Sequence, residues 1–255
     1  MIEIRKINKF YNNHHVLNDL DLIVNTGLIQ ALLGANGAGK TTLIKIIADL
    51  IDKESGKVYI DNVLIQPKEY KYRKNIGYVF EENLLIERLT ASEYLNFVGE
   101  FYWLDKTTLN KRAEELITFF DLDPGKKLIE DYSKGMKSKI SLAAALIHNP
   151  KYLILDEPFD GIDFLSIQKI RKLFRDLATN GCTILIASHQ YDIMSDVCDK
   201  FALLREGEIL FNYTMVELEE ISSNFCNSKE PVKSYLESKM SDQNSSDLSW
   251  INLNQ

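Results

Sequence analysis

Gly34-Ala-Asn-Gly-Ala-Gly39-Lys40-Thr41 decides how the rest of the chain is read. It meets every fixed position of G-x-x-x-x-G-K-[ST]. The apolar run Leu28–Leu33 precedes it and the helix-like Thr42–Leu50 follows, so the stretch is the turn of a strand–loop–helix unit. Glycines at this density let successive backbone N–H groups wrap around phosphate oxygens, with the positive end of the next helix behind them. The cradle then comprises Gly34, Asn36, Gly37, Ala38, Gly39, Lys40, Thr41 and Thr42. Lys40 would reach the β- and γ-phosphates, and the Thr41 hydroxyl would bind Mg²⁺. The bland alternative is a glycine-rich turn carrying an exposed lysine.

A second stretch, Leu153-Ile-Leu-Asp156-Glu157-Pro158, supplies what such a loop needs as a partner. A buried apolar strand ends in an aspartate able to hold Mg²⁺, and the next carboxylate can orient or deprotonate a water.

Outward from these two stretches, strands and helices alternate. Ile2, Ile4 and Ile7 alternate with polar residues, as do Leu20, Leu22 and Val24 within Val16–Val24. Val58–Ile65, closed by Pro67, and Ile76–Phe80 read as further strands. Thr90-Ala-Ser-Glu93 has capping-box spacing and opens a helix to about Leu104. Lys106–Phe120 is a second helix, and Ser133 caps a third that runs to about His148. Then come Tyr152–Asp156 (strand), Asp163–Asn180 (helix), Cys182–Ser188 (strand), Tyr191–Cys198 (helix) and Phe201–Arg205 (strand). That order predicts an α/β fold with a mostly parallel sheet and a helical lobe inserted at about 88–148. The predicted domain covers 1–221, followed by a polar, weakly ordered tail at 222–255 where Ser, Asn, Lys and Glu dominate.

Composition narrows the function classes. The chain has 255 residues, 45% hydrophobic and 26% charged, with a formal net charge of −7. A surface this acidic lacks the field that tracks nucleic-acid phosphates, so no nucleic-acid partner is expected. No apolar run approaches the roughly 18 residues of a membrane span. Charges interrupt the first residues, which do not read as a signal peptide. Cys182, Cys198 and Cys226 are odd in number and widely spaced, implying neither a disulfide frame nor a zinc site. These features predict a cytosolic soluble protein.

Several short motifs now fall in the order of one family, and Met1–Asn212 resembles the ATP-binding subunit of an ATP-binding-cassette (ABC) transporter. Tyr132-Ser133-Lys134-Gly135-Met136 stands where that family's L-S-G-G-Q signature belongs, keeping its serine and second glycine. Phe159-Asp160-Gly161-Ile162-Asp163 resembles the D-loop, with Asp163 at its aspartate; His189 resembles the switch histidine. Tyr11 resembles the aromatic that stacks on adenine, with Val16 near it. Each has a plainer reading too: Ser133 as a helix cap, His189 as a satisfied histidine, Tyr11 as strand packing. Phe101-Tyr102-Trp103 is read as helix core or a partner-facing patch, with no site role.

The resemblance implies a P-loop NTPase cassette with an N-terminal antiparallel β part. It also implies ATP and Mg²⁺ as cofactors, with Lys40, Glu157 and His189 catalytic. Thr41, Asp156 and Glu81 would hold the metal, Glu81 replacing the family's glutamine with a harder, charged ligand. Ser133 and Gly135 would complete the site of a second cassette in a head-to-tail dimer, and Asp163 would be nucleotide-binding as the D-loop aspartate. Integral-membrane permease subunits on separate chains would dock near Glu81–Glu87 and the helical lobe, at the inner face of the membrane. Glu81 and the Tyr-Ser-Lys-Gly-Met signature resemble the bacitracin- and lantibiotic-immunity-type exporters of antibiotics and antimicrobial peptides. A soluble ABC ATPase of a cytosolic assembly, such as the iron–sulfur type, is the alternative.

Overall fold

Two burial patterns separate the strands in the computed structural model, which describes residues 1–66, 71–82, 84–225 and 230–240. β1 (Ile2–Tyr11) and β2 (His14–Val24) intersperse buried with exposed positions, whereas β3 (Ile29–Leu33) buries all five residues. The first pattern suits a sheet with one wet face and the second a strand covered on both.

The first sheet is antiparallel, in the order β2-β1-β4-β5, with β4 at Ser55–Ile60 and β5 at Val63–Leu64. Sequence reading expects one strand over Val58–Ile65; the chain instead reverses at Asp61-Asn62 and pairs Ile60 with Val63. Both turn residues have positive φ (50° and 63°), which Asp and Asn tolerate and a two-residue hairpin of type I′ requires. Pro67 lies outside the described residues.

The second sheet runs β10-β9-β3-β8-β7-β6. Its strands besides β3 are β6 (Ile76–Val79), β7 (Tyr152–Asp156), β8 (Thr183–Ser188), β9 (Lys200–Arg205) and β10 (Glu208–Thr214). All neighbours are parallel except β10, which returns antiparallel to β9. β10 is not among the strands expected from sequence; the Glu206-Gly207 turn, both residues at positive φ, creates it. One apolar cluster joins the two sheets, containing Ile4, Leu22, Val58, Leu32, Ile154 and Leu185.

Helix α1 (Lys40–Ile47) follows β3 directly. The lobe consists of α2 (Ala91–Glu100), α3 (Lys106–Phe119) and α4 (Lys134–Leu146). The capping box forms at both bonds, Glu93 N–H to Thr90 Oγ1 at 3.3 Å and Thr90 N–H to Glu93 Oε2 at 2.9 Å. α2 stops four residues before the expected Leu104, and Trp103 then takes a left-handed φ of 52°. α5 (Phe164–Thr179) follows β7, while α6 covers only Tyr191–Met194 of the helix expected to Cys198. Cys182 and Cys198 are buried free thiols, and Cys226 lies outside the described residues.

The chain divides after Met215 into two units. In the second, α7 (Met215–Phe225) and α8 (Pro231–Met240) occupy part of the span expected as a weakly ordered tail. Phe225 and Tyr235 meet edge to face at 5.3 Å. Apolar residues at helical spacing (Val232, Tyr235, Leu236) are buried despite the polar composition around them. Residues 241–255 lie outside the described residues.

Candidate nucleotide site

Register sets the site. In the parallel sheet Leu33 is paired with Ser188 and Asp156 with Ala187, so β3, β7 and β8 end side by side. The segments after their C-terminal ends, 34–39, 157–163 and 189–190, therefore cluster at one edge, where open α/β sheets bind ligands.

The loop after β3 turns into α1 at Gly39, whose φ of 106° is closed to other residues without strain. A Cβ there would also stand 2.8 Å from the Leu17 side chain. Lys40 is buried, and its Nζ donates to the carbonyl oxygens of Gly34 (2.8 Å) and Ala35 (3.1 Å). Burial lowers its pKa, while Glu157, Asp156 and Glu81 act in the opposite direction.

Asp156 is 1% exposed. Both its oxygens are buried and have no hydrogen-bond partner among the described residues. Burial pushes this carboxyl up to about 6, opposed by the nearby Thr41 hydroxyl and reinforced by Glu81 and Glu157. A buried carboxylate without a donor is costly. Thr41 and Glu81 line the same cleft, so the donor set is all oxygen, two carboxyls and a hydroxyl, which fits a hard divalent cation.

Glu157 takes a left-handed φ of 47°. This aims its carboxylate at the end of β8, where Oε2 accepts the Ser188 hydroxyl at 2.9 Å and Oε1 the His189 backbone N–H at 3.0 Å. His189 Nδ1 lies 2.7 Å from Oε1. An ionised carboxylate only accepts, so Nδ1 carries the proton and Nε2 is left for another partner. A non-glycine residue held left-handed at a site edge is the kind of strain that a fixed arrangement of neighbours sustains.

These groups line one cleft of about 690 Å³. It brings together Tyr11, Val16, Asn36, Gly37, Gly39, Lys40, Thr41, Thr42, Glu81, Asp156, Glu157 and His189. Gly34 and Ala38 belong to the same loop without lining the cleft. Asp160, Gln190 and the carboxylate-holding Ser188 are additions that sequence reading missed; their places beside Glu157 and His189 were the available signal.

Ser133, Gly135 and Asp163 do not line this cleft. Ser133 caps α4, its Oγ accepting the Met136 N–H at 3.3 Å. Asp163 caps α5 through the Ser166 N–H at 2.9 Å and is bridged to Lys139 at 3.2 Å, contacts that with the Ser166 hydroxyl hold its carboxyl well below the usual range. A Cβ on Gly135 would stand 2.2 Å from the Gly161 carbonyl oxygen.

A glycine loop entering a helix after a buried parallel strand, facing a buried aspartate at the end of a neighbouring strand, defines a P-loop nucleoside triphosphatase. The profile of the ABC transporter family (ABC_tran) matches residues 17–160. The chain is 34% identical to the linearmycin resistance ATP-binding protein LnrL of Bacillus subtilis, over 86% of this chain and 70% of that one. It is 31% identical to the lantibiotic transport ATP-binding protein SrtF of Streptococcus pyogenes, over 88% and 96%. Its fold is similar to the dimeric structure of MJ0796, a bacterial ABC transporter cassette, with a TM-score of 0.78 and 26% identity, covering 84% and 99%. The chain belongs to the ABC transporter family, as an ATP-binding and ATP-hydrolysing subunit.

Proposed function

We propose that this cassette powers export of an antibiotic, antimicrobial peptide or other drug-like compound through separate membrane-spanning subunits. The observation that carries the ATPase part is the convergence of Lys40, the unpartnered Asp156 and the Glu157–His189 pair in one cleft. The cargo class follows from relatives named for linearmycin resistance and lantibiotic transport. Those names also favour a transporter over a soluble assembly ATPase.

In this mechanism the base lies against Tyr11 and Val16, and the phosphates lie in the loop 34–39. Lys40 Nζ exchanges the carbonyl oxygens of Gly34 and Ala35 for β- and γ-phosphate oxygens. Asp156, Thr41 and Glu81 would hold Mg²⁺, which when bound neutralises charge on the β- and γ-phosphates. Glu157 orients the attacking water, and the free Nε2 of His189 faces the transferring phosphoryl group. The α4 start of a second cassette, with its Ser133 and Gly135, covers the open side of the γ-phosphate.

Among the described residues no helix is long and apolar enough to cross a membrane, so the spanning subunits are separate chains in this reading. Their docking face is the groove of about 190 Å³ between sheet and lobe, lined by Tyr78, Phe80, Leu84, Tyr94, Val98 and Tyr102. Leu84 of this lining is 72% exposed, and Phe101, next to Tyr102 in sequence, is 65% exposed. In this reading the subunit sits on the cytoplasmic face of the membrane. The test is a pull-down of the tagged chain from native membranes in mild detergent, followed by mass spectrometry. A co-purifying polytopic membrane protein is expected; recovery of cytosolic partners alone would remove the export reading and leave the ATPase.

A further inference from the structure

Besides its pairing with β2, the end of β1 that carries Tyr11 is held by Glu54, from another part of the chain. Glu54, just before β4, accepts the Phe10 N–H with Oε2 at 3.0 Å and the Lys9 ammonium with Oε1 at 3.2 Å. Its own N–H donates to the Asn8 carbonyl at 3.0 Å, so three consecutive residues of β1 are tied to Glu54. The Lys9 side chain is only 12% exposed, and its Nζ lies over the Tyr11 ring, 5.4 Å from the centroid. Tyr11 itself is 47% exposed and lines the nucleotide cleft.

A ring has two faces, and a cation on one leaves the other for a flat partner. The cation also draws electron density from the ring, which favours stacking against an electron-rich base. We propose that Lys9 and Glu54 are positioning residues for base recognition, holding Tyr11 with one face on the lysine and the other open to a purine. This rests on the reading that Tyr11 stacks on the base. Lys9 and Glu54 touch no nucleotide in this scheme; they act through the tyrosine.

The test compares, on the full chain, the Kd for ATP with the Kd for inorganic tripolyphosphate, which has no base. Lys9→Met and Glu54→Gln are expected to weaken ATP about 3- to 10-fold, the range of one partly desolvated cation–π contact. Glu54→Ala, which also frees the Phe10 N–H, should weaken it further. Tripolyphosphate affinity should not move in any of them, and Lys9→Arg should restore ATP affinity. Equal loss for both ligands in Lys9→Met would mean a general structural role and overturn the proposal. Unchanged ATP binding in Lys9→Met, with Tyr11→Ala weakened, would overturn it while leaving the Tyr11 reading intact. Unchanged ATP binding in Tyr11→Ala would overturn both. If Glu54→Ala fails to fold, the Lys9 variants decide.

Discussion

The nucleotide cleft and the start of α4 both carry short motifs at a helix start, yet they differ in how their polar groups are spent. In the cleft the key groups are underused: among the described residues Asp156 has two buried oxygens without a donor, and Lys40 bonds to loop carbonyls. At the start of α4 the groups are occupied. Ser133 caps its helix, Lys137 is bridged to Glu87 at 2.6 Å, Lys139 to Asp163 at 3.2 Å, and Lys134 to Asp160. Gly135 meets the Gly161 carbonyl and Ser138 Oγ donates to the Asp160 carbonyl at 2.9 Å. The cleft is set up for a ligand, whereas the α4 start is joined to the loop 160–163 as one piece. Two regions that share a site in a dimer would thus divide the work, one binding and one presenting a fixed shape.

The largest effect that could break this contrast belongs to Glu157. Glu157→Gln removes the proposed base and leaves the cleft's shape, so ATP should still bind while turnover falls at least about 100-fold, the lower range for general acid–base catalysis. Steady-state hydrolysis beside equilibrium ATP binding checks it; a normal rate would take Glu157 out of the reaction and make the Ser188–Glu157–His189 contacts structural.

Gly135→Ala tests the other side. The added methyl must displace the Gly161 backbone rather than a flexible side chain. Overpacking of that kind costs about 1–3 kcal/mol, or a Tm loss of roughly 2–10 °C in a chain of this size. Thermal denaturation without nucleotide reads it. A normal Tm with lost hydrolysis would show that Gly135 serves ligand approach alone, and the picture of a fused α4 start would fail.

How legible each region was follows from where its information lies. The loop 34–41 was readable because its function is written in local backbone freedom, and Asp156, Glu157 and His189 because each ends an apolar strand. The Asp61-Asn62 hairpin was missed since apolar residues continue on both sides of it and no glycine marks the turn. Helix α8 was hidden by Ser and Lys around its few buried positions. The joining of α4 to the loop 160–163 could not be read at all: Lys134 and Asp160 are distant in sequence, and the packing of Gly135 on Gly161, with the Ser138 bond to the Asp160 carbonyl, brings them together. Ser133 was correctly expected to cap a helix, whereas the contacts beside it are tertiary.

The two regions are also connected through the seam between lobe and sheet, and there His148 offers a pH-dependent measure. It stacks on Tyr102 at 3.7 Å and its Nε2 lies 3.2 Å from the Ile76 carbonyl. Burial pushes its pKa down from 6.5 to about 4, with Arg112 adding to the shift and the Ile76 carbonyl opposing it. The folded state therefore disfavours the imidazolium relative to the unfolded chain. Stability is full above pH 6.5 and declines as pH falls toward 4, by about 2 kcal/mol after allowance for solvent screening. His148→Gln should remove most of the drop in Tm between pH 7 and pH 5. An identical drop in that variant would place the pH sensitivity elsewhere.

The smallest expected effect is the sharpest test of the α4 start as a preformed piece. Lys134 and Asp160 are both substantially exposed, and exposed ion pairs contribute about 0–1 kcal/mol. Lys134→Met and Asp160→Asn should each leave the Tm almost unchanged, so stability alone says little about them. Their functional coupling is more informative, because Asp160 also lines the nucleotide cleft of its own chain. A triphosphate there would repel Asp160, loosen its hold on Lys134 and so carry the occupancy of one cleft to the surface that the proposed dimer turns toward the other. If hydrolysis in the proposed dimer depends on filling both sites, the reversed pair, Lys134→Asp with Asp160→Lys, should fold normally yet lose that dependence, lowering the Hill coefficient for ATP toward one. The two neutral single variants should lower it equally, and combining them should lower it no further. Additive losses in the double variant would mean that the two residues act separately, and that the α4 start is held by Gly135, Ser138 and Lys139 without them.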